Sequence, residues 1–152
     1  MKRSILKRKP YKIRKVTKLT LGKLKKDLLE IAKAGVRARD GRCVAANADG
    51  RACWGHLQAS HIFPEGIYHS MKFDPENMVG MCTQHHIFWW HKNPLEADAW
   101  LRKFLGDEKY KYLFRLRDAY KEKQWFEAEV RELIELSRSS DYAKAYKPYR
   151  PL

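Results

Sequence analysis

The chain has 152 residues, of which 44% are hydrophobic and 12% aromatic, and its formal net charge is +14. This length fits one domain with a modest core, and no segment approaches the ~20 apolar residues that a membrane-spanning helix needs. Three cysteines are an odd number, which favours metal ligation in a reducing compartment over a disulfide framework. Since no apolar run follows the basic N-terminus, as one would in a secretory signal, we expect a cytoplasmic protein.

The positive charge is concentrated near the N-terminus. Residues 1–26 hold twelve of the 32 basic residues and no acid, so the rest of the chain holds twenty basic residues against 18 acids. Such a segment attracts polyanions by releasing condensed counterions, whereas a merely solvated tail would only aid solubility. We interpret residues 1–19 as a flexible arm that binds nucleic acid and not a membrane. The arm residues expected to contact phosphates are Lys7, Arg8, Lys9, Lys12, Arg14 and Lys15.

Hydrophobic spacing predicts a first helix over about 20–39, which ends at the turn dipeptide Asp40-Gly41. Residues 41–81 are rich in Gly, Asp, Asn and Pro, and two short apolar runs within them, "HLQASHIF" and "NMVGMC", predict strands. A loop at about 64–76 separates the strands. From Cys82 onward the pattern is helical again.

Further helices are predicted over about 94–138, and Asn93-Pro94 begins the first of them. The last two, at about 107–121 and 124–138, are joined by a short connector and are expected to pack antiparallel. The prolines of the final segment, 141–152, predict an irregular tail. The expected fold is therefore α+β and mostly α, with one domain over 20–140 and a central module over about 41–92.

The cysteines and one histidine have the spacing of a metal site. Cys82 and His85 are three residues apart, the spacing of one half of a tetrahedral zinc site, and Cys43 and Cys53 lie upstream. A rival grouping pairs Cys53 with His56 in place of Cys43. We favour the set with Cys43, because that cysteine otherwise has no function. Structural zinc would stabilise a segment that has few apolar residues.

His86 directly follows His85 and must face another surface, because consecutive residues on a helix point about 100° apart. The surface available to it is the preceding pair of strands. His61 lies on the first of these strands, and Asn77 lies at the far side of the loop. The sequence therefore offers two histidines and an asparagine around a second, separate site.

Three segments, "LQASHIF", "FDPENMVGMC" and "CTQHHIFWWHKNPLEA", occur in this order. They resemble the HNH (ββα-metal) nuclease superfamily, and especially the zinc-knuckle HNH proteins of phages such as the NinG recombination proteins. The resemblance covers residues of about 37–100. It implies a central zinc-stabilised ββα-metal module flanked by helices.

The resemblance also implies functions for individual residues. His61 would be the general base that activates water, Asn77 would orient the His61 region, and His86 would ligate a catalytic Mg²⁺ or Mn²⁺ ion. The structural zinc ligands would be Cys43, Cys53, Cys82 and His85, with Cys53 taking the place of a knuckle cysteine that is Ala46 here. The implied activity is phosphodiester hydrolysis in DNA, in phage or prophage DNA processing within a bacterial host cytoplasm.

Position 60 is where the chain departs from this family. Many members have an acidic residue or a histidine before the base, as a metal ligand, and this chain has Ser60. The cation would then rely on His86, water and substrate phosphate, or recruit Gln58 or His91. Because His91 lies about 140° from His86 on a regular helix, we expect it to contact phosphate or pack instead. Ser60 also leaves open a nucleic-acid-binding module without cleavage, and a nuclease that acts on RNA.

Overall fold

The computed structural model describes residues 20–152, so the six basic residues predicted to bind phosphates lie outside the described part. The helices are α1 (Leu21–Asp40), α2 (Pro94–Leu105), α3 (Asp107–Ala119), α4 (Glu127–Ser139) and α5 (Tyr142–Tyr146), and the strands are β1 (Leu57–His61) and β2 (Met78–Cys82). A π-helix spans Gln84–Trp90, and 3-10 turns span Pro75–Asn77, Tyr120–Glu122 and Lys147–Tyr149. The fold is thus α+β and mostly helical, as the sequence predicts. Within residues 20–152, no helix combines the length and apolar character that crossing a bilayer requires.

Helix α1 begins and ends where its sequence predicts. The Thr20 hydroxyl accepts a hydrogen bond from the backbone of Lys23, which satisfies one free N–H of the first turn. Gly41 ends the helix with φ of 64°, a left-handed conformation that glycine adopts without steric cost. The stripe that α1 buries consists of Leu24, Leu28, Ala32 and Val36.

Strands β1 and β2 form an antiparallel pair that the end of α1 holds in place. The register places Leu57 opposite Cys82 and His61 opposite Met78. A two-stranded pair is marginal by itself, so it needs support from other elements. The Arg39 guanidinium donates hydrogen bonds to the carbonyl of Met78 (2.9 Å) and to that of Pro75 (2.8 Å). The end of α1 therefore fixes the strand on which the site is built.

The sequence predicts that α4 packs against α3. In the structure α4 packs instead against α1. The connector between α3 and α4 explains the difference, because Trp125 within it is buried. The Trp125 indole N–H donates to the carbonyl of Ser70 at 2.7 Å, and its ring meets Phe73 edge-on. This anchor holds the connector against the loop between the strands and directs α4 towards α1.

The final segment, predicted to be an irregular tail, is ordered by contacts with the rest of the chain. Helix α5 packs so closely on α1 that a Cβ added to Gly35 would lie 2.7 Å from the Cβ of Tyr142. Beyond α5, the Arg150 guanidinium donates two hydrogen bonds to the fully buried carboxylate of Asp74, at 2.9 and 3.0 Å. The Tyr120 hydroxyl donates a third, at 2.9 Å. Tertiary contacts that the local sequence does not reveal therefore give this segment its structure.

Breaking the Asp74 network should destabilise the fold strongly. In Asp74→Ala, Arg150 and Tyr120 lose their acceptor, and removing one partner of a buried ion pair costs about 3–5 kcal/mol. Urea unfolding followed by tryptophan fluorescence should show this loss in the free energy of unfolding. The matched control is Glu135→Ala, which removes an exposed ion pair with Arg138 and should leave that free energy close to native. Equal stability of the two variants would contradict a structural function for Asp74.

Candidate metal centre and histidine cleft

Four side chains from separate parts of the chain converge on one point. Cys43 and Cys53 belong to the loop after α1, Cys82 ends β2, and His85 lies in the first turn of the π-helix. Their ligand atoms all lie within 4.8 Å of one another. The His85 Nδ1 atom is 3.1 Å from the sulfur of Cys82 and 3.6 Å from each of the other two sulfurs. This arrangement can hold a metal ion with three thiolates and one imidazole.

The cluster contains Cys43 and not His56, which favours the ligand set with Cys43 over the rival grouping. His56 is exposed, and its ring is not part of the cluster. The reason is that the turn-rich segment between Cys43 and Cys53 folds back and brings both sulfurs to the same point. The wide spacing of the two cysteines along the chain is thus no obstacle to a shared site.

Asp49 supports the metal centre, a function that the sequence analysis misses. Its carboxylate lies 3.1 Å from Nε2 of His85, so this nitrogen donates to Asp49 while Nδ1 faces the sulfurs. Metal-binding histidines commonly have such a carboxylate partner, which fixes the ring and its tautomer. In the sequence, Asp49 precedes Gly50 and has the pattern of a turn residue. Only the fold brings it to His85.

The three cysteines differ in their affinity for protons. Burial raises the pKa of Cys82, but hydrogen bonds from the backbone of His85 and Trp54 oppose this effect, and the pKa is lowered to about 6. Burial and the neighbouring thiols raise the pKa of Cys43. Of the three cysteines, Cys82 is therefore the one that loses its proton most readily, and the thiolate is the form that ligates metals.

A second site lies on the other side of the π-helix. It is a cleft of about 350 Å³ between α1, the end of β1 and the π-helix. His61, His86 and His91 line it, and so do Lys33 and Glu65. The structure thus places the two predicted catalytic histidines in one cleft and adds a third.

His61 is held so that one ring nitrogen is free. Its Nε2 atom donates to the carbonyl of Lys72 at 2.9 Å, so Nδ1 carries the lone pair. Glu65 lies 3.6 Å from this Nδ1 atom. Burial lowers the pKa of His61 below the usual 6.5, although the bond to Lys72 and the Glu65 charge oppose the shift. The ring is therefore neutral at pH 7 and can accept a proton.

Asn77 braces the segment that follows His61. Its side-chain oxygen accepts from the backbone N–H of Phe63 at 2.8 Å, and its amide donates to the carbonyl of the same residue at 3.1 Å. Its own carbonyl accepts from the N–H of Ile62. Asn77 is fully buried and does not line the cleft. Asn77 therefore holds the backbone after His61 in place and does not itself contact a substrate in the cleft.

His86 contacts the strand that carries His61. Its Nδ1 atom donates to the side-chain oxygen of Gln58 at 2.6 Å, which leaves the lone pair on Nε2. Burial, followed by the nearby charges of His91, His61 and Lys33, lowers the pKa of His86 to about 4. The imidazole is therefore neutral and able to ligate at neutral pH.

His91 lies beside His86, contrary to the prediction from a regular helix. His86 lies in the π-helix and His91 caps its C-terminal end, where the N–H of His91 donates to the carbonyl of His86 at 3.4 Å. Because this pattern joins residues five apart, it places His91 above His86, and the two ring centroids are 4.8 Å apart. The angular separation of about 140° expected for a regular helix is thus wrong, and the phosphate contact of His91 stays a prediction.

Ser60 supplies no group to the cleft. It is fully buried, and its hydroxyl has no hydrogen-bond partner among the described residues. The carboxylate that does line the cleft belongs to Glu65, which the sequence analysis misses because it lies in the loop after the strand.

Comparison with known proteins does not identify relatives of this chain. It matches no family model, no curated protein and no solved structure.

The composition of the metal centre can be tested by exchanging the two rival ligands. Cys43→Ser should lose the bound metal and the cooperative unfolding transition together, because a structural metal contributes directly to folding. His56→Ala is the matched control and should keep one metal equivalent per chain. Metal content of the purified proteins, measured by atomic emission, provides the comparison. Loss of metal from His56→Ala and not from Cys43→Ser would reverse the assignment.

Proposed function

We propose that this protein is a metal-dependent endonuclease of the HNH type that hydrolyses phosphodiester bonds in DNA, with a structural zinc beside its active site. The observation that carries the proposal is the pairing of His61 and His86 across one cleft, next to a cluster of four metal ligands. Their order along the chain, with Asn77 between them, follows the resemblance to phage HNH proteins. Phage DNA processing or recombination is the biological setting that this resemblance suggests.

Zinc fits the metal centre by ligand type and by size. Zinc prefers thiolate and imidazole ligands, with Zn–S of ~2.3 Å and Zn–N of ~2.0–2.1 Å, which in a tetrahedron separates sulfur from nitrogen by roughly 3.6 Å. Two of the three sulfurs lie 3.6 Å from His85 Nδ1 and the third lies 3.1 Å away. Four protein ligands leave no position for a substrate, so the zinc is structural.

His61 is the proposed general base. Its Nδ1 lone pair faces the cleft side near Glu65, and the bond from Nε2 to Lys72 keeps the ring in that tautomer. A water molecule placed between Nδ1 and a phosphodiester would lose its proton to Nδ1 as its oxygen attacks phosphorus. The ester oxygen on the far side of phosphorus then departs and takes a proton from solvent. Asn77 contributes by fixing the backbone that follows the base.

His86 and His91 are the proposed ligands of a catalytic cation such as Mg²⁺ or Mn²⁺. The two rings are adjacent, His86 is neutral at neutral pH because its pKa is lowered to about 4, and Gln58 orients it. When bound, such a cation would stabilise the added charge on the phosphate and on the departing oxygen. Lys33 would add positive charge at the same cleft.

A DNA-binding module without cleavage is the second candidate function. The buried Ser60 favours it, because this position supplies no ligand to the cleft. The basic arm of residues 1–19 fits either candidate, and fits RNA as well as DNA, since it contacts phosphates irrespective of sequence. A cleavage assay on plasmid DNA and on RNA, with and without divalent cations, separates the three.

Removing the base should abolish cleavage but not binding. His61→Ala should reduce the rate of plasmid nicking on the order of 10²–10⁴-fold, the usual contribution of a positioned proton acceptor. DNA affinity, bound zinc and unfolding should stay close to native. His69→Ala is the matched control, because it removes an exposed histidine outside the cleft.

His86→Ala provides the contrast for this test. It should also lose cleavage, but an increased Mn²⁺ concentration should restore part of it, because the variant lacks a ligand and keeps the base. Equal nicking by native protein and His61→Ala would show that His61 is not the base. Binding without nicking, with every divalent cation tried, would favour the module without cleavage.

The pH dependence of cleavage should reflect the lowered pKa of His61. The groups that face its ring are Lys33, Glu65, Lys72 and His86, and burial dominates their combined effect. Since the base must be neutral, kcat/KM should stay constant from pH 7.5 to below 6.5 and fall only as pH passes through the lowered pKa. Glu65→Gln removes the charge that opposes the shift and should move the acidic limb to lower pH still. An acidic limb above pH 6.5 in the native protein would be inconsistent with His61 as the base.

A further inference from the structure

A second cavity lies directly beside the histidine cleft. It has a volume of about 260 Å³ and is formed by the end of β1, the end of the π-helix, α2 and α3. The two cavities share a wall made of Ile62, Pro64, Trp90 and His91. The two cavities are therefore direct neighbours, about one residue layer apart.

The lining of the second cavity is aromatic and aliphatic. The rings of Phe63, Trp90, Tyr110 and Phe114 line it, and buried aliphatic side chains complete it. Phe63 meets Phe114 edge-on with centroids 5.3 Å apart, and Tyr110 lies 5.0 Å from Phe114. Three of the rings are thus in contact with one another, and their edges and faces border the cavity.

One polar pair stands at this aromatic surface. The Tyr110 hydroxyl donates a hydrogen bond to the Asp98 carboxylate at 2.6 Å, and both residues line the cavity. The other carboxylate oxygen can accept a hydrogen bond from a ligand. A carboxylate at this place repels phosphate, so the phosphate of a bound nucleotide belongs in the cleft and its uncharged end in the cavity.

We propose that the cavity holds one unstacked nucleobase of the strand whose phosphate occupies the histidine cleft. This inference rests on the proposed nuclease function and specifies its substrate as DNA with an unpaired or extrahelical nucleotide at the cleavage site. A cavity of 260 Å³ lies below the usual size of pockets for drug-sized ligands, which fits a single base and excludes a base pair. Aromatic side chains are the usual partners of splayed bases in proteins that bind single strands.

The polar pair adds a preference among bases. Adenine and cytosine carry an exocyclic amino group that can donate to Asp98, whereas thymine carries a carbonyl oxygen at the corresponding position. A bulged adenine or cytosine should therefore bind more tightly than a bulged thymine. If the cavity instead held an apolar side chain of a protein partner, DNA affinity would not depend on the identity of the bulged base.

Four DNA duplexes of identical length test the proposal on the native chain. One is fully paired, one has a single bulged adenine, one has a single bulged thymine, and one has an abasic site at the bulge. Their affinities are measured by fluorescence anisotropy without added divalent cation, so that no cleavage occurs. The three bulged duplexes carry the same backbone charge, so the contribution of the basic arm cancels among them. We expect the bulged adenine to bind roughly 5- to 100-fold more tightly than the abasic bulge, from the strength of base–aromatic stacking.

Variants locate the effect in the cavity. Tyr110→Ala should remove the difference between the adenine and abasic bulges, and Asp98→Ala should remove the preference for adenine over thymine. Phe104→Ala is the matched control, because Phe104 is an aromatic residue of α2, 46% exposed, that stacks on Trp100 outside the cavity. It should leave both differences unchanged. The comparison of adenine with the abasic bulge needs no variant, so a folding defect in a variant does not affect it.

The outcomes separate this inference from the nuclease proposal. Equal affinity for the adenine and abasic bulges, or a difference that persists in Tyr110→Ala, would overturn the base site even if the protein nicks DNA. A base preference that depends on Tyr110 would support the base site even if no duplex is nicked with any cation, in which case the nuclease proposal fails alone.

Discussion

The arrangement of both cavities depends on how His85 is fixed at the end of β2. One ring nitrogen faces the three cysteine sulfurs and the other contacts Asp49, so the imidazole ring cannot rotate freely. This fixes the first turn of the π-helix. His86, the next residue, must then point to the opposite side, where Gln58 of β1 meets it. A metal ion in the cluster would therefore act on the cleft without touching it, by setting the direction of the helix.

The sequence predicts those parts of the site that depend on local spacing. The C-x2-H pattern of Cys82 and His85 indicates the metal centre, and two adjacent histidines on a helix must face different surfaces. Asp49, Glu65 and His91 could not be assigned in this way. Asp49 and Glu65 lie in loops whose position only the tertiary fold determines, and a period of 3.6 residues gives the wrong face for His91 in a π-helix.

The same difference between local signals and tertiary contacts explains which helices the sequence predicts correctly. Helix α1 is predicted almost to the residue, because Thr20 and Gly41 are local signals for its two ends. The packing of α4 and the structure of the final segment depend instead on Trp125 and Asp74, which contact residues more than 40 positions away. Asp74 lies between a phenylalanine and a proline in the sequence, and nothing there indicates that Arg150 will reach it. Long-range polar contacts of this kind leave no periodic pattern.

Asn77 connects the two cavities mechanically. It holds the backbone of Phe63 by two hydrogen bonds and that of Ile62 by a third. Phe63 lines the aromatic cavity, Ile62 lies in the shared wall, and His61 precedes both. A single buried amide thus positions the proposed base on one side and the proposed nucleobase surface on the other. Because residues 61–63 are held as one segment, a strand that places its base in the aromatic cavity would bring its phosphate to a fixed place relative to His61.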